Sequence, residues 1–156
     1  MIVFEGLLYG RMIAKEVGFA FNYEIDQVIA NVTSKGKLLG GVVFNLNTGE
    51  GGSIAIHVAG FDPHWMTRDL IWATFDYCFN QLKVKKIIGM VNSSKPKVLK
   101  FDLKLGFVEE TRIKDYYCDG DLIVLSMVRE QCRWLTIKPR EIEVDGQASS
   151  SQSTAV

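Results

Sequence analysis

Residues 53–70 read SIAIHVAGFDPHWMTRDL, an apolar run that passes through a short polar segment into a helical pattern. The first eight residues are rich in β-branched and small apolar side chains, which predicts a strand. Thr67 is a suitable N-cap for the helix that follows, and Asp69 lies in its first turn, where a carboxylate complements the helix dipole. A strand that turns into a helix leaves free backbone N–H groups at the positive end of that dipole, where a pyrophosphate can bind. Since any α/β protein has such turns, the pattern agrees with a phosphate site without establishing one.

Three strands of an antiparallel meander are predicted up to this point. The runs QVIANVT at 27–33, LLGGVVFNL at 38–46 and SIAIHVAGF at 53–61 are apolar and rich in β-branched residues. The segments SKGK and NTGEGG between them supply turn residues, as expected for strands that pair in sequence order. Upstream, residues 10–19 are predicted to form a short first helix with apolar residues along one side.

The second half of the chain changes to a helical period. Apolar residues recur at four-residue intervals over residues 67–83, and Pro96 opens a second helix that Gly106 closes. Three further strands are predicted, at roughly 85–91, 107–114 and 121–128. A helix between the third strand and the fourth implies a parallel crossover. The predicted fold class is therefore α/β, with a mixed and mainly antiparallel sheet that is flanked by helices and contains one parallel strand pair.

Length and charge restrict the kind of protein further. The 156 residues suffice for one domain, predicted at residues 1–136. The polar ending GQASSSQSTAV predicts that residues 137–156 form a disordered tail. The 18 basic and 18 acidic residues cancel, whereas binders of nucleic acid or anionic membranes need a surplus of positive charge. No apolar run approaches the ~20 residues that cross a bilayer, and no basic leader marks a signal peptide.

Cysteine and histidine usage points to a cytoplasmic protein without a metal site. The three cysteines, Cys78, Cys118 and Cys132, form no CxxC pair, and the only histidines are His57 and His64. This pattern favours reduced thiols over a disulfide framework or a zinc site. We therefore expect a cytoplasmic location and no metal, nucleic-acid or membrane partner.

The segment from residue 85 to 127 resembles the C-terminal half of GNAT acetyltransferases, particularly the branch of ribosomal-protein N-terminal acetyltransferases. In that family a strand leads into an Asn-led helix ending in Leu-Gly-Phe, followed by a strand, a turn bearing a tyrosine, and a final strand. Leu105–Phe107 matches the Leu-Gly-Phe, and Tyr116–Tyr117 falls where the family often has its tyrosine. The runs WMTRDLIWATFDYCFNQL and VREQCRWL are also similar to small acetyltransferase-like proteins of tailed phages. The resemblance covers roughly residues 27–135.

This resemblance implies an acetyl-CoA-dependent N-acetyltransferase that acts directly on a primary amine of a protein N-terminus, a lysine or a small molecule. Tyr117, with Tyr116 as its alternate, would protonate the departing thiolate, and His57 would take a proton from the amine. Glu109 and Glu110 are the alternative bases. The residues implied in acetyl-CoA binding are Ile56, Val58, Trp65, Met66, Thr67, Arg68, Asp69, Ser94 and Lys95. A homodimer is a further expectation, as is the host cytoplasm if a phage encodes the chain.

Two positions depart from the family pattern. The pyrophosphate loop usually reads Arg/Gln-x-x-Gly-x-Gly/Ala, but residues 63–68, PHWMTR, contain no glycine to let the backbone approach a phosphate. Lys95 stands where the family has asparagine. Two hypotheses follow. The tyrosine pair and the region where two strands part favour an active acetyltransferase, whereas the glycine-free loop favours a catalytically degenerate GNAT fold that serves as a protein-binding or virion-associated module.

Overall fold

The computed structural model describes residues 1–4, 7–137 and 139–140, together with the backbone of two short paired strands, Glu143–Val144 and Gln147–Ala148. The predicted disordered tail, residues 137–156, lies for the most part outside the described residues. The single domain predicted at 1–136 likewise stays a prediction. In the described part of the chain, no helix is long and apolar enough to span a membrane.

Seven strands of the described chain form one mixed sheet, with the order β1-β2-β3-β4-β5-β7-β6. The strands are β1 (Ile2–Val3), β2 (Gln27–Val32), β3 (Leu38–Asn45), β4 (Ser53–Gly60), β5 (Lys86–Asn92), β6 (Val108–Tyr117) and β7 (Gly120–Val128). The helices are α1 (Leu7–Val17), α2 (Arg68–Asp76) and α3 (Pro96–Leu105), with short 3₁₀ turns at Arg129–Gln131 and Arg133–Thr136. Among the strands that the structure describes, only β4 and β5 pair in parallel, and α2 lies between them in the chain. The predicted fold class, including its one parallel crossover, is confirmed.

The helices cover opposite faces of the sheet. Ile13 of α1 is fully buried in an apolar cluster with Val28 of β2. Leu70 of α2 and Leu105 of α3 belong to the other, larger cluster, which also contains Ile29. Because neighbouring strand residues point to opposite faces, Val28 and Ile29 place α1 on one side of the sheet and α2 with α3 on the other.

Several boundaries differ from the sequence prediction for local physical reasons. The first helix starts at Leu7 and ends at Val17. The next residue, Gly18, has a φ of 97°, which lies in the left-handed region that favours glycine. The long helix predicted over 67–83 is α-helical only to Asp76 and continues as a π-helical turn over Tyr77–Gln81. This wider turn keeps two successive side chains, Cys78 and Phe79, buried.

The core contains one carboxyl group whose environment opposes ionisation. Asp102, on the sheet-facing side of α3, is 8% exposed. Its side chain makes no hydrogen bond or ion pair with the described residues. Burial raises the pKa of this carboxyl to about 7. A group that ionises less readily in the folded protein than in the unfolded chain makes folding less favourable as the pH rises through this range.

We therefore predict that Asp102→Asn stabilises the protein increasingly as the pH rises. The unfolded chain ionises this group near its ordinary pKa of 3.8 and the folded protein only near 7, so wild type loses stability between those values. Each pKa unit corresponds to about 1.4 kcal/mol, so the wild type loses up to about 4 kcal/mol of its free energy of unfolding above pH 7. The asparagine variant, which cannot ionise, does not lose this stability. Thermal unfolding at about pH 5 and about pH 8 measures the difference.

The exposed carboxylate of Glu130 provides the matched control. Glu130→Gln should change the melting temperature equally at both pH values. An Asp102→Asn effect that is independent of pH would contradict the assignment of a buried, neutral carboxyl.

Candidate active site

The sheet parts along the middle of its parallel strand pair. β4 and β5 are in register from Ser53 opposite Lys86 to Ile56 opposite Gly89, and the pairing ends there. Beyond this point β4 stays paired with β3 up to Gly60, and β5 stays paired with β7 up to Asn92. The two strands therefore diverge, and we call the gap between residues 57–60 and 90–92 the wedge. The backbone groups on its two edges have no ladder partner across the gap, so they can hydrogen-bond a ligand.

A cleft of about 770 Å³ occupies the wedge and passes through the sheet. On the α1 side it is lined by residues 16–19 and by His57, whose ring stacks on Phe19 with 4.2 Å between ring centroids. On the α3 side it is lined by Trp65 and Phe101, whose side chains pack against the larger apolar cluster. A ligand in this cleft can therefore reach a second molecule that approaches from the opposite face of the sheet.

His57 lies at the α1 side of the cleft with its tautomer fixed. Nε2 of the ring is 3.0 Å from Oδ1 of Asn45, and because an amide oxygen only accepts, Nε2 carries the proton and Nδ1 keeps its lone pair. The side chain is 9% exposed. Burial lowers the pKa of His57, and the charge of Asp26 partly offsets the effect. Because burial is the larger influence, the net effect favours the neutral imidazole, which is the form that accepts a proton.

Tyr116 and Tyr117 enter the cleft from an irregular end of β6. Three residues, 114–116, bulge out of the ladder between the pairs Ile113–Leu122 and Tyr117–Gly120. Asp115 within the bulge has a φ of 55°, and its N–H donates to Oδ1 of Asp121 at 2.9 Å. The two tyrosine rings meet edge to face at 4.9 Å. Burial, followed by the neighbouring Tyr116, raises the pKa of Tyr117, so its hydroxyl keeps its proton at neutral pH.

A polar clasp holds this tyrosine-bearing hairpin against the end of β5. Asn92 Nδ2 donates to one carboxylate oxygen of Asp119 at 2.7 Å, and Ser94 Oγ donates to the other at 3.1 Å. Ser93 Oγ accepts the N–H of Asp121 at 2.8 Å. A side chain at Gly120 would clash with Asn92, so glycine allows the close approach. The clasp sets the position of Tyr117 relative to the wedge.

Trp65 fills a position prepared by two glycines. Gly40 and Gly60 are directly paired across β3 and β4, and a Cβ on either would clash with the Trp65 side chain. The Trp65 carbonyl accepts a hydrogen bond from Nδ2 of the buried Asn31 at 2.8 Å. Its ring lies 5.8 Å from that of Phe101, centroid to centroid. On the face of the sheet that α3 covers, this aromatic pair lines the cleft.

The structure brings together six of the residues predicted for the site. The cleft is lined by His57, Val58, Trp65, Lys95, Tyr116 and Tyr117. Ile56 is the last β4 residue paired with β5. Ser94 belongs to the clasp, and Met66 packs against the larger apolar cluster.

Three predicted residues lie elsewhere. Thr67, Arg68 and Asp69 line a separate hollow of about 450 Å³ together with Met1 and Asn31. Thr67 does cap α2 as expected, since its Oγ1 accepts the N–H of Leu70 at 3.3 Å.

The alternative bases do not line the cleft. Glu110 pairs with Lys86 at 2.6 Å and accepts a hydrogen bond from Ser126, while Glu109 pairs with Arg112. The sequence patterns did not single out Asn45, Phe19 or Phe101. Asn45 could have been found only from the register, which places Val43 opposite His57 and thus Asn45 diagonally beside it on the same face.

Together, the mixed sheet, its single parallel pair and the parting of that pair define the GNAT fold. No family model and no curated protein matches the sequence. Solved structures do match. A chimera of the Vibrio cholerae spermidine N-acetyltransferase SpeG and hSSAT superposes with a TM-score of 0.64 and 17% identity, over 83% of this chain and 96% of that chain.

Two further matches are structures of the Vibrio cholerae enzyme. Its complex with CoA and spermine has a TM-score of 0.59 and 20% identity, over 80% of this chain and 73% of that chain. A dodecameric form in an intermediate state has a TM-score of 0.58 and 20% identity, over 79% and 71% of the two chains. At such identities the likeness establishes the fold. The resemblance to the ribosomal-protein branch and to phage proteins stays a prediction.

The electrostatics of His57 can be tested without assuming any activity. We predict that Asp26→Asn lowers the pKa of His57 further, because it removes the one charge that favours the imidazolium while burial continues to oppose it. Asparagine can keep the hydrogen bond that Asp26 accepts from the N–H of Asn22. An NMR titration of the ring Cε1–H signals measures the shift.

The chain has two histidines, so the His64 signals provide an internal reference in the same spectra. A His57 pKa that rises in Asp26→Asn, or that moves together with His64, would contradict the proposed balance of burial and charge.

Proposed function

We propose that this chain is an acetyl-CoA-dependent N-acetyltransferase that acts on a primary amine. The proposal depends on the cleft through the sheet, which is lined by His57 on the α1 side and also by Tyr117. Acyl transfer to an amine needs a thioester and an amine held side by side, a base for the amine and a proton for the leaving thiolate. The cleft offers a place and a residue for each requirement. The CoA-bound structure of a protein with the same fold adds support.

The edges of the wedge suit the pantetheine part of acetyl-CoA. This part is an extended chain with amide groups, and the unpaired backbone N–H and C=O groups of residues 57–60 and 90–92 can hydrogen-bond it as a strand would. Ile56 and Val58 flank the point where the strands part, so the β4 backbone there would polarise the thioester carbonyl. Acetyl-CoA supplies the activated acetyl group, and the protein supplies position, a base and an acid.

His57 is the proposed general base. Its neutral ring can take a proton from the acceptor ammonium or from the amine as the N–C bond forms. The hydrogen bond to Asn45 leaves Nδ1 as the basic nitrogen. Burial holds the pKa below its ordinary value of 6.5, so the base stays available at neutral pH.

Tyr117 is the proposed general acid, with Tyr116 as its alternate. Its raised pKa keeps the phenol protonated, so it can donate to the thiolate sulfur as the C–S bond breaks. Tyr116 is 56% exposed, which makes Tyr117, the less exposed of the pair, the better placed donor.

The acceptor would enter from the α1 side, past residues 16–19. The neighbouring structures are named as spermidine N-acetyltransferases, which supports a small amine as acceptor, while a lysine or a protein N-terminus remains within the proposal. We also propose that the chain forms a homodimer in the cytoplasm. The dodecameric neighbour supports self-association.

The test begins with binding and then separates the two tyrosines. Wild type should bind acetyl-CoA saturably in a calorimetric titration and acetylate at least one member of a panel of polyamines and peptides. Tyr117→Phe should lower kcat by about tenfold or more, because a positioned general acid contributes about 10²–10⁴-fold, while the Kd for acetyl-CoA stays within about twofold.

Tyr116→Phe is the matched control, since it removes the same hydroxyl from the adjacent, more exposed ring. Equal and small effects of both variants would remove Tyr117 from the mechanism. Absence of saturable acetyl-CoA binding would contradict the proposed function and favour the protein-binding alternative.

A further inference from the structure

Positive charge is distributed unevenly around the cleft. Its α1 side carries the carboxylate of Glu16, whereas its α3 side carries two lysines, Lys95 and Lys97. Both lysines are exposed and belong to the start of α3. The positive end of the α3 dipole adds to their potential. An anionic group is therefore stabilised on the α3 side and an ammonium group on the α1 side.

The loop before α2 offers no comparable site within the cleft. Arg68 points into the separate hollow beside Met1 and Asn31. The loop residue that does reach the cleft is Trp65, an apolar ring held over Gly40 and Gly60. Its side chain provides a wall for a ligand but no charge for a phosphate.

We propose that Lys95 and Lys97 bind the phosphate groups of acetyl-CoA, so that the α3 end of the cleft takes the place of a glycine-rich pyrophosphate loop. The inference rests on the proposed acetyl-CoA dependence. Lysine ammonium groups act as flexible point charges and suit phosphates that are not fixed by backbone amides. The cofactor then lies with its diphosphate at α3 and its thioester toward His57, which fixes its direction through the wedge.

Asp119 modulates this site. Both of its carboxylate oxygens accept hydrogen bonds, from Asn92 and Ser94. These hydrogen bonds lower the pKa of Asp119, and the nearby charge of Lys95 lowers it a little further. Part of the positive potential of Lys95 is thus offset. Lys97 is therefore expected to contribute at least as much to phosphate binding as Lys95.

The same helix provides a matched control. Lys100 and Lys104 carry the same charge on α3 but line a shallow outer groove with Leu99 and Leu103, away from the cleft. A general effect of charge on an anionic ligand would appear in both lysine pairs. A phosphate site in the cleft predicts an effect of one pair only.

The experiment compares three ligands by calorimetry: coenzyme A, dephospho-coenzyme A and pantetheine, which lacks the diphosphate and the nucleotide. The double variant Lys95→Gln/Lys97→Gln should bind coenzyme A about tenfold to a hundredfold more weakly than wild type, as expected for the loss of one or two charge-assisted hydrogen bonds. Its affinity for pantetheine should stay within about twofold. Lys100→Gln/Lys104→Gln should bind all three ligands within about twofold of wild type. Arg68→Gln tests the competing site, and its loss of affinity for coenzyme A should be smaller than that of the double variant.

Dephospho-coenzyme A shows which phosphate is bound. If the double variant loses as much affinity for it as for coenzyme A, the lysines hold the diphosphate, as proposed. If it loses much less, the lysines hold only the 3′-phosphate, and the assignment of the diphosphate to α3 is overturned. A larger loss in Arg68→Gln, an equal loss in the control pair, or an equal loss for pantetheine would overturn the proposal. A wild-type protein that binds none of the three ligands would contradict the proposed function itself, and this inference with it.

Discussion

The end of the β4–β5 ladder at Ile56 and Gly89 is the constraint on which the site depends. Past this point each strand is held by a different neighbour, β4 by β3 and β5 by β7. Neither strand can bend back to close the gap without breaking hydrogen bonds on its other edge. The wedge is therefore a stable part of the sheet, and its exposed strand edges lie along the cleft that reaches both faces of the sheet.

Other contacts adjust this opening without creating it. The paired glycines of β3 and β4 admit the Trp65 ring, which limits the cleft on the α3 side. The clasp joins the end of β5 to the β6–β7 turn and so holds the two tyrosines near the β5 edge of the wedge. Asn45 and Asp26 act on the protonation of His57 from within the sheet and from the loop before β2. Each of these contacts joins segments that are distant in sequence, so the site assembles only when the whole sheet has formed.

The sequence allowed the order and type of the main elements to be predicted, because periodicity and turn residues are local signals. Thr67 and Gly106 mark helix ends in the structure as they do in the sequence. The parallel pair followed from a helix between two strands. The full length of β6 could not be predicted from the sequence, because this edge strand is exposed along nearly all of its length and its residues show no buried face.

The site could be predicted only in part, because several of its contacts depend on strand register and helix rotation. The family resemblance implies His57, Val58 and the two tyrosines as site residues, and these residues line the cleft. The direction in which Arg68 leaves α2 depends on how the helix is rotated on the sheet, and the start of the helix alone does not determine it. The partnership of His57 with Asn45 depends on the β3–β4 register, to which local patterns are insensitive.

Hydrogen–deuterium exchange with and without saturating acetyl-CoA shows whether the cofactor binds where β4 and β5 part. The backbone amides on the edges of the wedge have no ladder partner across it, so a ligand that hydrogen-bonds there slows their exchange. We expect acetyl-CoA to protect residues 57–60 and 90–92 from exchange, with little change in the paired central parts of β2 and β3. Unchanged exchange in both segments, or protection confined to the hollow at Arg68, would contradict cofactor binding in the wedge.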